Sequence, residues 1–162
     1  YLVENRYRKR KKSGRQKVIG YLGRVFSFPL QQSSSLESLR VEDVDGFLSQ
    51  EYGSIIKKLV SAELGNHGFQ FDGKSHSQAG TMVSFDGNSI RFGKSGNEKI
   101  VVQMHEGFLC KQTYRSLINF EGSGDEREVG LQFGNAVLGA GLKIPQELFV
   151  GLFEKVMKHE EG

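Results

Sequence analysis

Two stretches of alternating apolar residues meet at Asp86-Gly87, and this junction constrains the fold more than any other local feature. A two-residue loop of this type favours a turn whose twist matches that of paired strands. Centred on Asp86-Gly87, the turn sets Val83 opposite Ile90 and Thr81 opposite Phe92. Apolar side chains then share one face. Phe69 and Phe71 supply a shorter strand before it. Ile100, Val102 and Met104 supply another after the loop 93–97. The region 69–104 therefore reads as a small antiparallel β-meander.

Helical periodicity flanks the meander. Val44, Phe47, Leu48, Tyr52, Ile55, Ile56, Leu59, Val60 and Leu64 recur at three- and four-residue steps, as one apolar stripe of a helix does. Gly46 and Gly53 weaken that helix, and Gly65 offers a stop. After the meander, 109–120 reads as a short helix with Tyr114, Leu117 and Ile118 inward. A second helix spans 126–142, with Gly130, Gly134, Ala136 and Ala140 allowing close packing. Pro145 opens a third, whose stripe is Leu148, Phe149, Leu152, Phe153, Val156 and Met157. One helix, a meander and three C-terminal helices make an α+β class domain over 41–162.

Ahead of this body the composition changes. Residues 1–24 hold nine of the 22 Lys and Arg side chains and one of the 19 acids, a formal +8. The remaining 138 residues hold 13 basic and 18 acidic side chains, a formal −5. A basic arm is thus joined to a mildly acidic body, which is a statement about partners rather than fold. Apolar residues on both sides of Lys11-Lys12-Ser13-Gly14 read as a β-hairpin: a strand over 1–10, a turn, and a strand over 15–22. Arg6, Arg8 and Arg10 would share one face, with Tyr7 and Lys9 on the other. A solvated basic tail and a nuclear import signal at 8–12 are the competing readings. Residues 25–40 have linker composition, with Ser33-Ser34-Ser35 at the centre and the alternation Phe26, Phe28, Leu30 near the start.

The stretch YLVENRYRKRKKSGRQKVIGYLGR resembles the short N-terminal hairpin of some DDE-class insertion-sequence transposases, an aromatic-rich strand, a basic turn and a strand ending in Tyr-Leu-Gly. The resemblance covers 24 residues and implies a hairpin that faces nucleic acid. It implies no transposase activity, since the rest of the chain has no matching catalytic region.

Motifs for other chemistry are weaker. Gly68 to Ser75 matches G-x-x-x-x-G-K-[ST] in letters, but no helical stripe follows, and a β-turn at Asp72-Gly73 fits better. His105 and Cys110 lie close in sequence, the minimum for a base and a thiol nucleophile. Phe108 and Leu109 argue for a packed junction instead. The four histidines, His67, His76, His105 and His159, are spread along the chain, and one cysteine gives no paired ligand spacing. No catalytic residue, metal site or cofactor is expected.

The leading expectation is a non-enzymatic nucleic-acid-binding protein. Its contacts would come from Arg6, Tyr7, Arg8, Lys9, Arg10, Lys11, Lys12, Arg15, Lys17, Tyr21 and Arg24. Structured RNA, including a ribonucleoprotein particle such as the ribosome, is favoured over DNA, because no recognition helix with Arg, Asn or Gln along one face is visible. An assembly or adaptor protein, self-associating through its C-terminal helices, is the alternative reading. A DNA-binding protein is a third, and a small Cys/His enzyme the last. No apolar run approaches bilayer length. A single cysteine fits a reducing compartment, so the cytoplasm is the expected location.

Overall fold

The computed structural model describes residues 2–8, 13–20, 22–32, 36–37 and 39–161, and of 2–8, 13–20 and 159–161 the backbone alone. The arm is a hairpin of β1 (Leu2–Arg8) and β2 (Ser13–Gly20), a two-stranded sheet separate from the others. Ser13 and Gly14 are already paired, with Arg8 and Tyr7, so they lie in β2 and not in the turn. The connection falls among residues 9–12, outside the described residues.

The body is α+β, as the sequence pattern requires. Its helices are α1 (Val44–Leu48), α2 (Tyr52–Asn66), α3 (Lys111–Ile118), α4 (Glu126–Gly139) and α5 (Gln146–Glu161). The expected first helix is divided at residues 49–51, between its two glycines. It also runs past Gly65. Gly68, at φ 90°, ends it, with Gly68 N–H donating to Gly65 C=O and Phe69 N–H to Leu64 C=O. This pair of bonds satisfies carbonyls that a helix end leaves open. The same device at Gly141 stops α4 at Gly139, three residues before the expected end.

The meander contains β4 (Gln70–Phe71), β5 (Ser75–Gln78), β6 (Thr81–Asp86) and β7 (Ser89–Phe92), in that spatial order. Its central register differs from expectation by two residues: Val83 faces Phe92 and Phe85 faces Ile90. The loop residues are Gly87-Asn88, with Gly87 at φ 59° in the first central position. Glycine suits that position in a two-residue hairpin loop. A shift of two preserves the faces, so Val83, Ile90 and Phe92 are buried together.

The strand β8 (Ile100–Met104) does not extend the meander. It lies between β3 (Arg24–Ser27), to which it is parallel, and β9 (Gly107–Leu109), to which it is antiparallel. The alternation of Ile100, Val102 and Met104 specifies a strand but not its neighbour. The start of the expected linker supplies that neighbour. Farther on, the main-chain N–H groups of Gln31 and Gln32 donate to Asn66 C=O at the end of α2. Phe28 meets Phe69 edge-on, with ring centroids 4.8 Å apart. One core joins α2, the meander, β8 and the C-terminal helices through Ile55, Phe92, Val102, Leu117, Phe133 and Leu152, among others. Gly130 and Gly134 admit Phe153 and Phe149 of α5 close to α4, which is the packing role expected of small residues.

Candidate nucleic-acid interface and a buried carboxylate–imidazole cluster

Of the expected contact residues, Arg6, Tyr7, Arg8, Arg15 and Lys17 lie on the paired strands of the arm. Arg6 stands opposite Arg15, Glu4 opposite Lys17, and Tyr7 opposite Gly14. Lys9, Arg10, Lys11, Lys12 and Tyr21 lie outside the described residues. Arg24 is exposed, with its guanidinium 5.2 Å from the centre of the Phe26 ring.

The arm joins the body at Gly23. This glycine has φ 140°, and a Cβ on it would stand 2.5 Å from the carbonyl carbon of Lys99. Arg24 N–H then donates to Lys99 C=O at 2.9 Å, which starts the β3–β8 ladder. The joint is therefore a close backbone approach that only glycine accommodates.

Beside this joint the body carries cationic side chains that the sequence reading missed. Lys111 and Arg115 are exposed, four residues apart on α3. Both line two neighbouring clefts. One, of about 390 Å³, also includes Asn88, Arg91 and Asn119. The other, of about 170 Å³, includes Leu22, Lys99 and Gln112. Arg91 is held by Asp86, Nη2 to Oδ2 at 2.6 Å. The i, i+4 spacing of Lys111 and Arg115 was visible in sequence, but their proximity to Leu22 is a tertiary fact.

A second constellation is buried. Glu63 on α2 and His67 at its C-cap are 4 % and 1 % exposed at their side chains. His105, in the turn between β8 and β9, is 17 % exposed. Glu63 Oε1 lies 2.5 Å from His105 Nε2 and 3.4 Å from His67 Nδ1. His67 Nδ1 is also 2.9 Å from the Glu63 main-chain carbonyl. Lys143 N–H donates to Glu63 Oε2 at 3.2 Å. The two imidazoles meet edge to face, with centroids 4.9 Å apart. Two of the histidines that looked dispersed in sequence are thus in contact. The E-x-x-x-H spacing of Glu63 and His67, one turn of helix, was the available signal.

The weaker motifs resolve differently. Cys110 caps α3 and is buried, with Sγ 3.6 Å from Thr113 Oγ1 and its N–H donating to that same oxygen at 3.0 Å. His105 is engaged with Glu63, so the sequence-adjacent thiol and imidazole are committed to different neighbours. No helix follows Lys74-Ser75. The segment is the β4–β5 hairpin, with Gly73 at φ 97°. Asp72 Oδ1 accepts from Lys74 N–H and Ser75 N–H. Those bonds, that of Ser75 foremost, hold the Asp72 carboxyl below its ordinary pKa. A loop amide that already binds its own carboxylate is poorly placed to receive phosphate.

No family model, curated protein or solved structure matches the chain. Among the described residues no helix is long and apolar enough to cross a membrane.

Proposed function

We propose that the protein binds nucleic acid without catalysing a reaction, and that the basic hairpin is the principal contact. The observation that carries this reading is the segregation of charge, +8 in residues 1–24 against −5 in the rest, on a hairpin whose strands pair with each other in a sheet of their own. Lys and Arg concentrated in this way neutralise phosphates and release counterions. Lys111 and Arg115, beside Leu22 at the root of the arm, extend the cationic surface onto the body.

Structured RNA, in a ribonucleoprotein particle, is the favoured partner, and the cytoplasm the favoured compartment. The exposed cations of α3 are two on a helix of eight residues, too few for a helix that reads a major groove. A narrow hairpin suits an irregular RNA groove better. Binding to a structured RNA and to a duplex DNA of equal charge, measured at one salt concentration, tests the choice. Tighter RNA binding is expected; tighter duplex binding would reassign the protein to DNA.

A second reading, assembly through the helical body, rests on a separate observation. Leu131 and Leu138, seven residues apart on α4, are 68 % and 50 % exposed. Sedimentation of the full chain without RNA tests it: a dimer lost on replacing both with Glu supports it, and a monomer at every concentration contradicts it.

A further inference from the structure

We propose that Glu63, His67 and His105 form a binding site for one divalent transition-metal ion of the zinc class. Each offers a ligand atom, and the three atoms lie within 4.8 Å of one another. Two imidazole nitrogens and one carboxylate oxygen are a donor set that suits zinc, with a fourth position left for water.

The backbone gives independent support. The pairing of Met104 with Gly107 leaves His105-Glu106 as a two-residue hairpin loop. His105 is its first central residue and has φ 52°. Glycine is the default there, and a side chain bears a cost that persists where the side chain itself is needed. Gly107 reinforces the placement, since a Cβ on it would stand 1.8 Å from Leu138 C=O, which fixes the loop against the end of α4.

The surroundings also fit. Donation from His67 Nδ1–H to the Glu63 carbonyl fixes the ring and its tautomer, as bonds from the other ring nitrogen do for ligating histidines, so a metal would be met through Nε2. Lys143 N–H similarly orients the carboxylate. The 2.5 Å contact of Glu63 Oε1 with His105 Nε2 is a hydrogen bond holding one proton. Ligand atoms about 2.0–2.1 Å from a tetrahedral zinc ion stand about 3.3 Å apart. Metal entry therefore separates the two atoms by somewhat under 1 Å and expels the shared proton to solvent. The alternative is a plain carboxylate–imidazole bond tying α2 to the loop.

The test is calorimetric titration of the untagged full chain, cleared of metal by a chelator and dialysed, with Zn²⁺ alone. One equivalent should bind, with Ca²⁺ giving no heat because it prefers six or more oxygen ligands. Co²⁺ should give the intense visible bands of a four-coordinate site. His105→Gly should fold, because glycine accepts the loop conformation, and should lose at least 100-fold in zinc affinity. His67→Gln, which keeps a donor near the Glu63 carbonyl, should lose a similar factor. No saturable zinc binding, affinity unchanged in His105→Gly, or only the pale spectrum of hydrated Co²⁺ would overturn the proposal.

Discussion

Gly23 and Lys99 touch through their backbones, so that a single added Cβ would come within 2.5 Å of the Lys99 carbonyl carbon. This contact joins the basic hairpin to the β3–β8 pair at the edge of the body's three-stranded sheet. Downstream, Arg24 to Ser27 follows Ile100 to Gln103 in parallel register.

Gly23→Ala should accordingly destabilise the body by about 2–4 kcal/mol, since it combines a positive φ with a steric overlap. Urea unfolding measures this. A change below about 0.5 kcal/mol would mean that the joint relaxes freely.

Two tyrosines, the buried Tyr114 and the half-buried Tyr52, should respond in opposite ways to loss of their hydroxyls. Tyr52 donates to Leu117 C=O at 2.6 Å, in the last turn of α3. Tyr52→Phe removes that bond, leaves the carbonyl with the longer 3.3 Å bond from Phe120 N–H, and should cost about 1 kcal/mol. Among the described residues the Tyr114 hydroxyl has no hydrogen-bond partner. Tyr114→Phe should be neutral or stabilising by up to about 1 kcal/mol. Equal losses in the two variants would contradict this contrast.

Burial pushes the Tyr114 phenol up to about 12. Burial, and then Tyr114 itself, raises that of Tyr52 as well. The unfolded chain ionises near pH 10 and so gains on the folded one above that pH. Stability should be intact below pH 10 and fall as pH rises towards 12. Tyr114→Phe should remove part of that alkaline slope in urea unfolding at pH 9, 10 and 11.

On the acid side, His76 is buried and stacked on Phe71, with centroids 4.7 Å apart. Burial lowers its pKa, with Asp72 offsetting part of the effect. A depressed folded pKa gives stability that is present above the unfolded value of about 6.5 and lost as pH falls through the folded one. His76→Phe should flatten that loss. Identical urea midpoint differences between pH 5 and 7.5 for both proteins would show that other groups govern it.

Local periodicity made the helices legible. Ile55, Ile56, Leu59, Val60 and Leu64 read as one stripe and are all buried. Boundaries were less so, because Gly65, Gly68 and Gly141 look alike in sequence, and only the chain's direction change selects the ones at positive φ. The β6–β7 pair was visible except for its register, where Gly87 and not Asp86 opens the loop; β5 was not, because Ser75-His76-Ser77-Gln78 carries no apolar alternation. The parallel neighbour of β8 was not legible. Its partner lies more than 70 positions earlier, in a segment whose serines and glutamines read as a linker. The Glu63–His67 half of the buried cluster sits within one helical turn. His105 arrives 42 positions later, by way of a loop conformation that histidine seldom takes.

The most direct measurement is the salt dependence of RNA binding for the intact protein and for a variant with Arg8, Lys9, Arg10, Lys11 and Lys12 replaced by Ala. Each phosphate neutralised contributes roughly 0.7–0.9 to the slope of log K against log salt. The intact protein should show a steep fall. The variant should bind weakly, with a shallow slope and an unchanged urea midpoint. Equal slopes and affinities for two equally folded proteins would contradict the assignment of the hairpin as the binding element.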